Sequence, residues 1–153
     1  MKKIFLILSV LSVQFFLSQK AGVKVENNKN ANTNTKASLN LSKEEIDLYN
    51  GKFLKFIDAL KISDRTAMDA LLSEKAKKMI TEVVYQKLAK DIKTSKKFEI
   101  VKTGYKPLID GSSFPMIQYK YSDDKAAEPK EIITAVFETD GKILGIKPYK
   151  ITK

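Results

Sequence analysis

The 153-residue chain has no cysteine and no histidine, and each absence closes off a class of function. Without cysteine no disulfide supports the fold, so a hydrophobic core must do so unaided; nor is there a thiol to carry the lipid of a processed bacterial lipoprotein. Without histidine, Ser-His-Asp and Cys-His nucleophile systems, His-based zinc sites and His proton relays are excluded, which leaves carboxylates, lysines and tyrosines for acid-base work. The phosphate-cradling patterns GxxxxGK[ST] and GxGxxG and the hydrolase elbow GxSxG do not occur either. Asp123, Asp124 and Glu128 share one loop, but without the DxDxDG spacing and distal Glu of a calcium loop. A solvated turn is expected there, with no metal and no cofactor.

Arginine is nearly missing, occurring once at Arg65. The formal charge of +10 is therefore a lysine charge, and six of the 28 basic residues and one of the 18 acidic residues precede Leu41, so the remainder carries only +5. Its lysines are scattered, with no basic stripe interleaved with stacking aromatics, and nucleic acid is not an expected partner. A solubilising surface is the simpler explanation.

A long apolar run is absent as well. MKKIFLILSVLSVQFFLSQ opens with Lys2 and Lys3, stays mostly apolar through residues 4–17 and reaches the small residue Ser18. Ser9, Ser12 and Gln14 interrupt a run already shorter than the roughly 20 residues of a bilayer-spanning helix. This is the organisation of a secretory signal over residues 1–18, cleaved after Ser18. It predicts a secreted or periplasmic protein with no membrane attachment after cleavage. Residues 19–40 contain six asparagines and no aromatic, too little apolar surface to offset the entropy of ordering them, and are expected to form a disordered linker. Residues 41–153 remain for a single domain.

In that domain LSKEEIDLYNGKFLKFIDALK starts with a capping box, Ser42 and Glu45, and repeats Ile46, Tyr49, Phe53, Phe56, Ile57 and Leu60 at helical spacing. ISDRTAMDALLSEKAKKMITEVVYQKLAKDI predicts two further helices, one entered at Ser63 or Asp64 and one near Ser73. Met68, Leu71 and Leu72 serve the apolar side of the first, and Ala76, Met79, Ile80, Val83, Val84 and Leu88 that of the second. From Lys97 the period moves toward two in FEIVKTGY, SFPMIQYKY, KEIITAVFE and KILGIKPYK, which read as four strands. Asp110-Gly111, DDKAAEP and Asp140-Gly141 connect them, short enough for an antiparallel meander, and each Asp-Gly pair suits a type I′ turn. The predicted fold class is α+β: about three N-terminal helices packed on a curved four-stranded antiparallel meander sheet.

The helix FLKFIDALKISD, the segment ALLSEKAKKMI, the strand KFEIVKTGY and the closing FETDGKILGIKPY hairpin resemble small exported domains of unknown function in the nuclear transport factor 2-like (cystatin-like cone) superfamily. The resemblance covers residues 53–149, about two thirds of the chain. It implies a cone-like fold. Enzymes of that superfamily, such as ketosteroid isomerase-like and dehydratase-like members, use an Asp or His base with Tyr or Asp donors inside the cone. Here Asp58 and Asp69 are the helical acids nearest an apolar face, with solvent and local helix electrostatics as their ordinary explanations. The cystatin inhibitory pattern QxVxG does not occur, which counts against protease inhibition.

Strand alternation assigns Val101, Thr103 and Tyr105 to one face, with Ile117, Tyr119 and Tyr121, with Ile133, Ala135 and Phe137, and with Leu144 and Ile146. If this face meets the helices it forms an apolar cup, and Tyr105, Tyr119 and Tyr121 become the candidate ligand-binding residues for a small amphipathic ligand or a peptide. The same pattern describes a filled core whose tyrosines reach solvent at its rim. Three functions follow from these alternatives. The first is an exported noncatalytic module binding a ligand or partner, and the second a small isomerase or hydrolase using a carboxylate and tyrosine in the cone. The third is a structural accessory domain that homodimerises through its sheet.

Overall fold

The first helix, α1 (Lys43–Lys61), starts where the sequence places its cap. The Ser42 hydroxyl accepts from the Glu45 backbone N–H at 3.2 Å and the Glu45 carboxylate accepts from the Ser42 N–H at 2.7 Å, so two donors that the helix cannot satisfy internally are paired. Its apolar stripe buries Tyr49, Phe53, Phe56, Ile57 and Leu60. The computed structural model describes residues 40–151; these belong to one compact unit, Lys36–Lys153. The expected signal and the linker up to residue 39 lie outside the described residues.

Helix α2 (Arg65–Leu71) is capped by Asp64, whose carboxylate accepts from the Ala67 N–H. Ser73, itself buried, caps α3 (Glu74–Met79) by accepting from the Ala76 N–H. The expected single helix after Ser73 is in fact two, because Ile80 and Thr81 are extended and α4 (Glu82–Asp91) begins anew, giving four helices among the described residues. The break resets the helical phase. Helix α4 turns Tyr85 and Leu88 inward, and Met79, Val83 and Val84, expected on the apolar side, are exposed.

Strands β1 (Phe98–Pro107), β2 (Ser113–Tyr121), β3 (Glu131–Phe137) and β4 (Ile143–Lys150) form one antiparallel sheet in the order β1-β2-β3-β4. The fold is therefore α+β with an open four-stranded sheet. Both Asp-Gly turns differ from the expected type I′ form. Gly111 and Gly141 have positive φ, at 82° and 86°, while their aspartates do not. Each aspartate instead accepts a hydrogen bond from the backbone N–H two residues on, Ser112 and Lys142, at 2.9 Å. Five-residue connections with glycine in the left-handed position result.

One face of the sheet meets α1. Phe53 stacks on Tyr119 with centroids 3.9 Å apart, and Tyr49 stacks on Phe137 at 4.9 Å. Phe98 meets Phe53 edge-on at 5.3 Å. Ile117, Tyr119, Tyr121, Ile133, Ala135 and Phe137 are all buried there, each large side chain contributing about 1.5–3 kcal/mol by leaving water. Two irregularities shift the expected face. The register slips between Ile100 and Lys102, so Val101 is the extra residue of β1 and stands exposed, while Phe98 and Ile100 join the core before it and Tyr105 after it. A second slip opposite Val136 and Phe137 makes Leu144 the extra residue of β4 and gives its core position to Ile143.

Candidate functional site

The three candidate tyrosines are not neighbours in a single cavity. Tyr105 stands opposite Pro115 and Tyr121 opposite Phe98, at the two ends of the β1–β2 ladder and roughly 20 Å apart at the usual rise per strand residue. Tyr119 lies between them, fully buried, with its ring under Phe53 and its hydroxyl lacking any hydrogen-bond partner among the described residues. Burial pushes that hydroxyl's pKa up. The Tyr121 hydroxyl accepts from the Lys93 backbone N–H at 2.9 Å, and the ammonium groups of Lys93 and Lys96 stand over its ring at 5.3 and 5.4 Å. That bond ties the segment after α4 to the sheet. Tyr105 is half-buried against the core and borders a groove on the opposite side of the sheet.

The two helical acids also have assigned places. Asp58 is exposed. Asp69 accepts from the Tyr85 hydroxyl at 2.6 Å and from Arg65 Nε at 3.2 Å. Arg65 in turn binds Glu82 at 2.8 Å and lies 3.6 Å from the Tyr85 ring centroid. The Tyr85 hydrogen bond, followed by Arg65 and against the opposing effect of burial, holds the Asp69 carboxyl below its ordinary range. Burial and this same carboxylate push Tyr85 up. Cation, ring and two acids thus clasp α2 to α4 at the surface, away from the buried sheet face. In the loop after β2, Asp123 pairs with Lys96 at 2.6 Å, and Asp124 accepts from the backbone N–H groups of Ala126 and Lys130; both work as loop staples.

Among the described residues, the space between α1 and the sheet is filled by aromatic rings; a polar depression of about 270 Å³ lies beside Tyr121, among Lys93, Lys96, Asp123, Lys130 and Glu131, and three more lie around the core. One of about 570 Å³ borders the loop residues Ala126 to Lys130 and ends at Ile151, the last described residue. A second, of about 150 Å³, is an apolar cup walled by Leu72, Ala76, Ile80, Leu88 and Leu144 between α3, α4 and β4. Polar anchors are missing from its wall. The third is a groove of about 430 Å³ on the sheet face that points away from α1, a volume in the range of small-molecule sites.

The groove is built by the register. Met116 stands opposite Gly104 and Val136, and Val136 opposite Gly145, so a row Gly104-Met116-Val136-Gly145 crosses the whole sheet. The next row is Lys102-Gln118-Thr134-Lys147. Apolar side chains form the middle of the first row, Gly145 leaves its β4 end low, and Gly104 at the β1 end is buried. Gln118 Nε2 donates to Thr134 Oγ1 at 3.2 Å, leaving the threonine proton free to donate outward. Lys106 and Lys147 border the groove from opposite edge strands, and neither has an ion-pair partner among the described residues. The signal for this surface was present in the sequence as the alternate positions of β2 and β3, which carry Met116, Gln118, Thr134 and Val136. Assigning only the core face of each strand passed them over. Neither family models, curated proteins nor solved structures yielded a match to this chain.

Proposed function

We propose that this chain is an exported, noncatalytic binding module whose site is the groove on the outer face of its sheet. One observation carries the reading. The space between α1 and the sheet is filled by stacked rings, whereas the outer side keeps a groove with an apolar floor, an oriented Gln118-Thr134 pair and two lysines that have no ion-pair partner among the described residues. Apolar floor with few convergent polar groups is the composition of ligand sites. Membership of the nuclear transport factor 2-like superfamily and a cone-like shape belong to the same proposal, supported by four antiparallel strands following the helices in sequence. Export to the periplasm or medium rests on Lys2, Lys3, the apolar residues 4–17 and Ser18.

The enzymatic alternative needs a carboxylate and a tyrosine together inside the fold. Among the described residues Tyr119 is buried with an unpartnered hydroxyl, and no Asp or Glu is buried. Homodimerisation through the sheet would use the same outer face, and is separated from ligand binding by the test below.

Fragment binding to uniformly ¹⁵N-labelled protein tests the proposal. The sample should be recovered from an exported fraction with a mass that starts near Gln19. Binding fragments should move the amide signals of Gln118, Thr134, Val136 and Lys147. Shifts confined to Ala76, Val84 and Leu88 would move the site to the helical cup. A library without binders, on a protein whose mass still includes Met1, would remove both the binding and the export parts of the reading.

A further inference from the structure

Lys106 and Lys147 face the same groove from opposite edges with an apolar row between them, and that arrangement selects a ligand by charge as well as by shape. We infer that the groove takes a small carboxylate amphiphile, an apolar chain of medium length ending in one anionic group; this rests on the outer face being the binding site. The chain lies across the strands over Met116 and Val136, and the carboxylate ends at Lys147, where the Thr134 hydroxyl donates a second hydrogen bond.

The dimensions agree. Three interstrand steps separate β1 from β4, about 14 Å in all; Gly145 lines the groove at its β4 end, while Gly104 at the β1 end of the row is buried, so Lys106 marks that edge. The neighbouring row adds Lys102, a third cation with no ion-pair partner among the described residues. The fourth outer-face lysine, Lys120, differs in having Glu99 at 3.8 Å. Desolvating an apolar chain on Met116 and Val136 supplies attraction without direction, and the lysines supply the sign. A second copy of the chain fits less well, since a twofold contact brings each patch against itself and would set Lys102, Lys106 and Lys147 against their equivalents. Single-stranded nucleic acid would need stacking rings in the groove, and its floor is Met, Val and Gly.

Gly145 gives a handle on the trough. A Cβ added there meets no heavy atom within 4 Å, so Gly145→Leu has room to start into the trough; because Gly145 also borders the helical cup, its result is read beside Val136→Glu, a groove residue that does not line the cup. Calorimetric titration of the mature protein with decanoate, decanol and decyltrimethylammonium, all below their micellar concentrations, tests the inference. Decanoate should bind and raise the melting temperature. It should bind about tenfold more weakly to the Lys106→Gln/Lys147→Gln double variant and not at all to Gly145→Leu, and the cationic probe should not bind the wild type. Should Gly145→Leu lose its cooperative melt, Val136→Glu replaces it, setting an acid in the path of the carboxylate's chain, with the same expected loss. If decanol and the cation bind as tightly as decanoate and Gly145→Leu abolishes all three, the carboxylate class is wrong and the groove stands. Unchanged decanoate binding to Gly145→Leu overturns the groove itself. No decanoate binding by the wild type overturns the inference, as does a dimer that Gly145→Leu converts to monomer.

Discussion

At the scale of single residues, Tyr119 and Tyr121 make the sharpest contrast in the molecule. They are two positions apart on one strand and on one face, both buried, yet their hydroxyls have opposite energetic roles. The Tyr119 oxygen is buried with no partner among the described residues, a situation that costs about 1–3 kcal/mol relative to hydration. The Tyr121 oxygen holds the Lys93 N–H. Tyr119→Phe removes an unsatisfied polar atom and keeps the ring that stacks on Phe53, so it should raise stability by about 1 kcal/mol. Tyr121→Phe strands a backbone donor and should lower it by a similar amount. Urea unfolding of both variants checks this: destabilisation by Tyr119→Phe would mean that its hydroxyl does have a partner, such as a buried water.

At the scale of elements, the clasp of Arg65, Asp69, Tyr85 and Glu82 joins α2 to α4 and is a place where acid should weaken the fold. Asp69 has a lowered carboxyl pKa in the fold, so its contribution is complete above the unfolded value of about 3.9 and disappears as pH falls through the lower folded value. Asp69→Asn should therefore be less stable than wild type at neutral pH, and the gap between their urea midpoints should close below about pH 4. A gap of constant size across that range would show that Asp69 acts through packing and not through its charge. Much at this scale could be read from the residues. Ser42, Asp64 and Ser73 cap the helices they were expected to cap, because a short side-chain oxygen before an apolar period has few other uses. The break at Ile80 and Thr81 could not be read, since apolar residues continue through it and neither Gly nor Pro marks it. The extra residues Val101 and Leu144 were hidden for a related reason: a bulge leaves each half of a strand alternating correctly and changes only the phase between halves.

At the scale of the whole molecule, the α+β class and the meander order followed from periodicity and turn residues, whereas the candidate site did not, because two faces of one sheet are equally legible and only tertiary packing decides which is filled. The tyrosines can test that packing directly. Burial raises the pKa of Tyr49, Tyr85, Tyr119 and Tyr121 in the fold. Below the unfolded value of about 10 these groups are protonated in both states and their contribution is unaffected by pH. Above it the unfolded chain loses protons that the folded chain retains, so stability should fall with rising pH. Because Tyr49 and Tyr119 stack within the layer that closes the sheet on α1, hydroxide should reach them only when that layer opens. Alkaline titration followed by phenolate absorbance and far-ultraviolet circular dichroism, with Tyr119→Phe for assignment, should therefore show the Tyr119 signal arriving together with the loss of helix. Ionisation of Tyr119 while the helices remain intact would mean that solvent enters between α1 and the sheet. That outcome would count against the proposed outer-face groove and turn the search for a site to the core-facing tyrosines.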